Sequence, residues 1–301
     1  MSKNLFNAIR LHIDGKGLNN ELKTLQAKAN ELNKRAFINA TGQIQLPLNE
    51  MRSVVSNSAS TKNVGYEVTE KATIFDRCKY LQGLTSNAKY PIFKTNCTKW
   101  ENETIPSATT ASITLNPHRL YAELSYTTTM VKSADDTLQT ALTQDVINAI
   151  YDKVEKTILS DDNVTNGNPK GILYDLSAHT ITSSVTMAEV ANLEKKFFQS
   201  GSKTPSYIFS PSAYEKMKTK HAALFVDGKF NDIPYIVSSN MKDSCYLLCD
   251  LTKLVVGEFG SLDVEVDNVT QIYKGEIKLT CNTYFDWGLI NSKAFVYASM
   301  E

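Results

Sequence analysis

No stretch of this 301-residue sequence approaches the roughly 18 consecutive apolar residues of a membrane span, so no spanning helix is expected. The opening, MSKNLFNAIRLHIDGKG, lacks an apolar core followed by a small-residue cleavage site, so secretion is not indicated. Cysteine is sparse. Its five copies, Cys78, Cys97, Cys245, Cys249 and Cys281, are odd in number and scattered, which fits free thiols in a reducing cytoplasm better than a disulfide framework. An excess of one charge is missing too: 32 Lys and Arg balance 32 Asp and Glu, so no chain-wide attraction to nucleic acid or anionic membrane follows. A local patch remains compatible with that balance. Neither a Gly-x-Ser-x-Gly elbow nor a Rossmann glycine fingerprint occurs.

What the chain does contain is material for a core, with 42% hydrophobic residues over a length sufficient for one large domain or two ordinary ones. From Leu18 to Phe37, Leu18, Leu22, Leu25, Ala29 and Leu32 recur every three or four residues among Lys and Glu, which predicts an amphipathic helix with a narrow apolar stripe. Residues 38–63 are rich in Asn, Ser and Thr and read as an extended arm that needs something to lie on. Between Tyr90 and Lys132 the texture is β. YPIFKTNCTKW, the polar ENETIPS, ATTASITL, the turn NPH and RLYAELSYTTTMVK predict a long two-stranded excursion that gains stability against another surface.

The strongest helical signal follows. Leu138, Leu142, Val146, Ile150, Val154 and Ile158 step by four, with Ser133, Asp135 and Asp136 offered as capping groups, so 137–159 predicts a rod about 35 Å long lying over a sheet. Residues 177–268 read as an α+β unit of short elements, in which Ser210 and Pro211 mark a helix start after a strand at 207–209. In the last segment Ile277, Leu279, Cys281, Thr283, Phe285 and Trp287 alternate with polar neighbours, predicting a strand of roughly 40 Å.

Several stretches invite a chemical reading. The loop DDNVTNGNPKGIL (161–173) has the composition of a ligand cradle. As a calcium loop begun at Asp161 it has Asn166 where Gly belongs and Ile172 where Glu belongs, and begun at Asp162 it has Leu173 at the Glu position. It also lacks phosphate-loop spacing, so turn chemistry explains it. Cys245 and Cys249 would lie about 13 Å apart on one strand, too far for one metal. His12, His118, His179 and His221 sit in four different segments, and Glu101 and Glu103 flank a polar hairpin tip. No residue is assigned a catalytic, cofactor-binding or metal-ligating role, and no cofactor is expected.

Taken in order, these pieces resemble a tailed-bacteriophage major capsid protein of the Hong Kong 97 type over roughly residues 64–301. The likeness is carried by the long helix with ILSDDNVTNGNPKGIL after it, by the Trp-Glu-x-Glu and Leu-x-Pro-x-x-Leu texture of 90–133, by YIFSPSAYEKMK, by FNDIPYIVSSNM and by the terminal INSKAFVYA. The resemblance implies an α+β, Hong Kong 97-like capsid fold. Its parts would be an N-terminal helical segment at 1–40, scaffold-like or retained, and an N-terminal arm with the start of the peripheral domain at 41–93. An extended loop would follow at 94–117, a peripheral domain with a spine helix at 118–176, an axial domain at 177–268 and a peripheral return strand at 269–301. It further implies self-assembly into pentamers and hexamers of an icosahedral shell enclosing double-stranded DNA, contacted non-specifically, with portal and other head proteins as partners, no membrane and no catalysis. Localisation would be the virion capsid, assembled in the bacterial host cytoplasm. Some relatives cross-link a hairpin lysine to a neighbouring subunit, and Lys94 and Lys99 lie in that region without a matching local motif. An encapsulin-like nanocompartment shell and an oligomeric α+β enzyme are the alternatives.

Overall fold

The computed structural model describes residues 5–48, 74–94, 109–134, 136–163, 167–176, 179–181 and 186–300. Helices α1 (Leu5–Ile13) and α2 (Asn20–Ala36) open the chain, followed by strand β1 (Ile44–Leu46). The amphipathic stripe of α2 turns Leu22 and Ala29 inward. The Asn19 side chain accepts the Leu22 N–H at the start of this helix, and Phe37 ends it in the left-handed region at φ 56°. Within the helical segment that the resemblance implied at 1–40, periodicity marked only the helix from Leu18; α1 is a second one, and its Leu5, Phe6, Ala8 and Ile9 are all buried. At nine residues it is too short to announce itself by periodicity, and tertiary packing stabilises it.

Strands β2 (Lys79–Leu84), β3 (Ala88–Lys94), β4 (Thr109–Leu115) and β5 (His118–Thr127) come next, then helix α3 (Thr128–Ser133) and the 23-residue α4 (Asp136–Ile158). The capping expected of Ser133 is corrected. Thr127 accepts the Met130 N–H and starts α3 as the chain leaves β5, while Ser133 lies inside that turn and donates to the Thr129 carbonyl.

Beyond α4 lie β6 (His179–Ile181), α5 (Met187–Gln199), β7 (Ser206–Phe209), α6 (Pro211–His221), β8 (Phe225–Val226), β9 (Lys229–Phe230), β10 (Ile233–Val237) and β11 (Cys245–Cys249). Ser210 caps α6 with Pro211 in its first turn, as predicted, and Thr186 with Glu189 forms a reciprocal capping box on α5. Two 14-residue strands, β12 (Leu254–Asp267) and β13 (Glu276–Leu289), and then β14 (Phe295–Met300), complete the order.

One sheet runs β1-β12-β13-β5. Its β12 is paired on the outer edge twice, parallel to β2 over Val255–Phe259 and antiparallel to β1 over Leu262–Val264, on either side of a bulge between Phe259 and Asp263. A second sheet runs β6-β14-β11-β7-β10-β9-β8, and β3 and β4 form a separate hairpin. The unit expected at 177–268 and the return expected at 269–301 therefore exchange strands. Residues 254–267 belong to the long sheet, and 295–300 join the second sheet against β11. The reason is legible in β12. It is buried on both faces, so its residues do not alternate, and Gly257 and Gly260 make one long strand resemble two short ones.

Leu142, Val146, Ile150, Val154 and Ile158 of α4 share one core with Ile277, Leu279, Cys281 and Phe285 of β13 and with Leu254, Val256, Leu262 and Val264 of β12. Each such side chain contributes roughly 1.5–3 kcal/mol on burial. The opposite face of the long sheet presents Val255 and Phe259 to Ala36 and Leu115, while the second sheet packs Tyr207, Phe209, Tyr246 and Leu248 beneath α5 and α6.

Candidate interaction surface

The β3–β4 hairpin is anchored at its base and pairs with itself from there outward. Ala88 faces Leu115 at the base and Lys94 faces Thr109 at the far end. Leu115 is buried, and Ile113 and Leu115 sit over two glycines of the long sheet. A Cβ on Gly288 would come within 2.4 Å of Ile113 Cγ2, and one on Gly257 within 2.6 Å of Leu84 Cδ1 and 3.1 Å of Leu115 Cδ1. Missing side chains on β12 and β13 thus make the slot that seats the hairpin. The Asp286 carboxylate completes the anchor by accepting the Asn116 N–H at 2.8 Å and the Trp287 N–H at 2.8 Å. Burial pushes that carboxyl above its usual range, and the two N–H donors oppose the shift. Farther out, Pro91, Ala111 and Ser112 are exposed. A two-stranded ribbon of this kind is marginal without a supporting surface. Lys94 is the last residue of β3, while Lys99, Glu101 and Glu103 lie outside the described residues.

Among the described residues of the loop after α4, backbone groups bond back to the protein itself. The Ile172 N–H returns to the Ile158 carbonyl at 2.9 Å, and the Gly171 N–H to the Asp162 carbonyl at 3.1 Å. Trp287 Nε1 donates to the Lys170 carbonyl at 2.8 Å, and His118 Nδ1 lies 2.8 Å from the Gly167 carbonyl oxygen. Gly171 passes so close to the helix end that a Cβ would stand 2.1 Å from the Ser160 carbonyl oxygen. The glycine is therefore demanded by a backbone crossing, and Trp287 and His118 fasten the turn to the long sheet.

A polar seam joins α4 to the segment after β10. Ser238 Oγ donates to Glu155 Oε1 at 2.6 Å, Asn240 Nδ2 donates to Asp152 Oδ1 at 2.8 Å, and Lys242 pairs with Asp161. The hydrogen bond from Lys242 holds the Asp161 carboxyl below its usual range. Nearby, burial pushes the Glu258 carboxyl up to about 7, although its hydrogen bond from Tyr80 pulls the other way.

The residues considered for chemistry do not converge. Cys245 and Cys249 mark the two ends of β11, where Cys245 Sγ lies 3.3 Å from the Tyr297 hydroxyl and Cys249 Sγ lies 3.5 Å from the Ser206 carbonyl oxygen. Burial pushes the Cys249 thiol up and that of Cys281 up to about 12, so both remain protonated core groups. His12 lies in α1, His118 and His179 begin β5 and β6, and His221 ends α6. Among the described residues no group of three or more His, Cys, Asp or Glu is placed to hold a metal ion, and no helix is long and apolar enough to cross a membrane. Sequence reading missed the glycine slot and the Tyr80–Glu258 pair. It also missed a cluster of exposed apolar residues, Val269, Ile272 and Tyr273, between β12 and β13. Isolated glycines within a strand-like run were the one available signal.

The self-paired hairpin, the long helix over a long-stranded sheet and the second α+β layer are the architecture that the resemblance implied. A family model described as the phage capsid family matches residues 53–300. The chain belongs to that family. No curated protein matches it. Among solved structures, the capsid of a native GTA particle is similar at 12% identity and a TM-score of 0.57, over 80% of this chain and 94% of that one. A chain from Mycobacterium phage Cain is similar at 12% identity and a TM-score of 0.58, over 83% of this chain and 98% of that one. A virus-like particle from Pyrococcus furiosus is similar at 11% identity and a TM-score of 0.52, over 83% of this chain and 96% of that one. This phage capsid protein has the Hong Kong 97-like fold and is a bacteriophage major capsid protein, a structural protein of the capsid shell.

Proposed function

We propose that this capsid protein assembles as pentamers and hexamers of an icosahedral shell that encloses double-stranded DNA, without catalysis. Assembly would occur in the bacterial host cytoplasm, with portal and other head proteins joining the particle. In this reading residues 94–117 are the extended loop that lies on a neighbouring subunit, and α4 with the long sheet forms the peripheral part. The observation that carries it is the β3–β4 hairpin, seated at its base on Gly257 and Gly288 and paired outward with nothing but itself among the described residues. Such a ribbon gains a lasting partner when another copy lies beneath it. Balanced overall charge leaves DNA contact to local basic patches.

Negative-stain microscopy of the purified protein tests this directly. Closed shells of uniform size are expected, and a small soluble oligomer by size-exclusion chromatography would favour the enzyme alternative. The likeness to the virus-like particle from Pyrococcus furiosus supports a second reading, an encapsulin-like compartment. Cargo separates the two: nuclease-protected DNA in native particles supports the capsid, and an enclosed enzyme supports the compartment.

A further inference from the structure

Residues 5–48 precede the stretch that the family model matches, which begins at residue 53, yet they lie within the main core. Leu5, Phe6, Ala8, Ile9, Leu22, Ile44, Leu46 and Leu48 are at most 1% exposed and belong to the same cluster as the apolar stripe of α4. The Phe6 ring meets Tyr126 of β5 edge-on at 5.1 Å. A segment that merely accompanied the fold would lie on its surface.

The body is also shaped to receive this segment. At the β12 bulge Gly260 takes φ +69°, and a Cβ there would stand 2.5 Å from Asn33 Oδ1. That oxygen accepts the Ser261 N–H at 2.9 Å and the Ser261 hydroxyl at 3.1 Å, which satisfies backbone that the bulge leaves without a strand partner. The Asp263 carboxylate accepts the N–H groups of Thr41 at 3.1 Å and Gly42 at 3.0 Å. Gly42 approaches so closely that a Cβ would lie 2.6 Å from the Val264 carbonyl oxygen. Strand β1 then closes the β12 edge at Leu262–Val264, and Gln43 Oε1 extends the closure by accepting the Val266 N–H at 2.8 Å.

We propose that residues 5–48 are a permanent clasp, an integral layer of the subunit that is kept in the finished particle rather than an assembly aid that proteolysis removes. Taking them away uncovers Leu262–Val266 as an open strand edge, strands the Asp263 carboxylate and exposes the apolar seat of α1 and α2. An open edge of that kind invites pairing with other chains, so the clasp also keeps the long sheet from unprogrammed edge-to-edge contact.

The statement about the finished particle rests on the shell reading above; the statement about the subunit does not. A site-specific protease sequence placed between residues 49 and 73 allows the full-length purified protein to be cut. The N-terminal fragment is expected to co-elute with the body on gel filtration and the melting temperature to stay within a few degrees of the uncut value. Asn33→Ala combined with Asp263→Asn should release a measurable part of the fragment from the cut protein. Elution of the fragment apart from a body that melts unchanged would overturn the proposal. For the particle, intact mass spectrometry should find subunits that still carry residues 5–48, and shells built wholly of subunits beginning after residue 48 would overturn it there. If no shells form, the shell reading fails while the gel-filtration result still decides the clasp.

Discussion

The Tyr80 hydroxyl on β2 donates to Oε2 of Glu258 on β12 at 2.6 Å and stands 3.2 Å from the Tyr151 hydroxyl on α4. A strand, its neighbour and the helix above them therefore meet at one buried carboxyl. Phe75 packs edge-on against both tyrosines, with ring centroids 6.2 Å from Tyr80 and 5.0 Å from Tyr151. Burial keeps both the acid and the Tyr80 phenol in their neutral forms more persistently than water would.

That carboxyl sets a pH dependence whose sign is fixed. In the native state it titrates at about 7, against 4.5 for a free glutamate. Below 4.5 it is neutral in both folded and unfolded chains and costs nothing. As pH rises from there to about 7 the unfolded chain ionises while the folded one does not, so stability is lost across that window and levels off above it. At about 1.4 kcal/mol per unit the loss is on the order of 3 kcal/mol. Glu258→Gln keeps an acceptor for Tyr80 and should flatten this part of the curve. Urea midpoints of the two proteins from pH 4.5 to 8 check it, and parallel curves would refute it.

Two glycines of the turn after α4 separate crowding from backbone conformation. Gly171→Ala drives a methyl into the Ser160 carbonyl, which cannot move without unwinding the helix end, and should cost about 1–3 kcal/mol. Gly167 has φ +81° but nothing within 4 Å, so Gly167→Ala meets only conformational strain, about 1 kcal/mol. Denaturant midpoints should therefore fall further for residue 171 than for residue 167. The reverse order would contradict the close-approach account.

Elements with a strong local signal are readable in the sequence alone. The four-residue step of Leu142, Val146, Ile150, Val154 and Ile158 marked α4 to within a residue at each end, because an amphipathic face must repeat with the helix. The alternation from Ile277 to Trp287 likewise marked β13, and Ser210-Pro211 marked the start of α6. Residues 254–267 gave no such period because both faces are buried, and the exchange of β14 into the second sheet depends on a pairing some fifty residues back along the chain. Helix α1 was hidden for a related reason. Its four buried residues acquire meaning only from the helix and strands they touch. The interaction surface was half legible: composition showed a long two-stranded excursion between Tyr90 and Lys132, but only β3 and β4 form it, because His118–Thr127 pairs with β13 in the long sheet. The glycine slot beneath the hairpin is a relation between strands that no single stretch displays.

The connection between β12 and β13 offers a surface that the isolated subunit does not use. Val269, Ile272 and Tyr273 are 71%, 71% and 78% exposed, while Asp267 holds the turn by accepting the Val269 and Thr270 N–H groups. The fold of the turn therefore does not depend on its apolar side chains. Ile272→Ser with Tyr273→Ser should change subunit stability by no more than about 0.5 kcal/mol. In a shell-forming protein it should still lower the yield of particles on sucrose-gradient sedimentation, because apolar side chains exposed in the subunit become covered between copies. Unchanged yield would place the patch outside every subunit contact.

The hairpin permits the sharpest separation of folding from assembly. Its base is tied in by Leu115, by Ile113 over Gly288 and by the Asn116 N–H on Asp286, whereas Pro91, Ala111 and Ser112 farther out are exposed. Removing residues 95–108 and closing the strands with a short Asn-Gly turn leaves the whole anchored base in place. The subunit should then keep its circular dichroism and melt within a few degrees of the parent. If neighbouring copies support the outer ribbon, shells should fail to close, and sedimentation should show free subunits or open fragments in place of particles. Normal shells from the shortened protein would mean that the ribbon is dispensable for assembly. A collapsed melting temperature would mean instead that the outer hairpin stabilises its own subunit, which is the opposite division of labour.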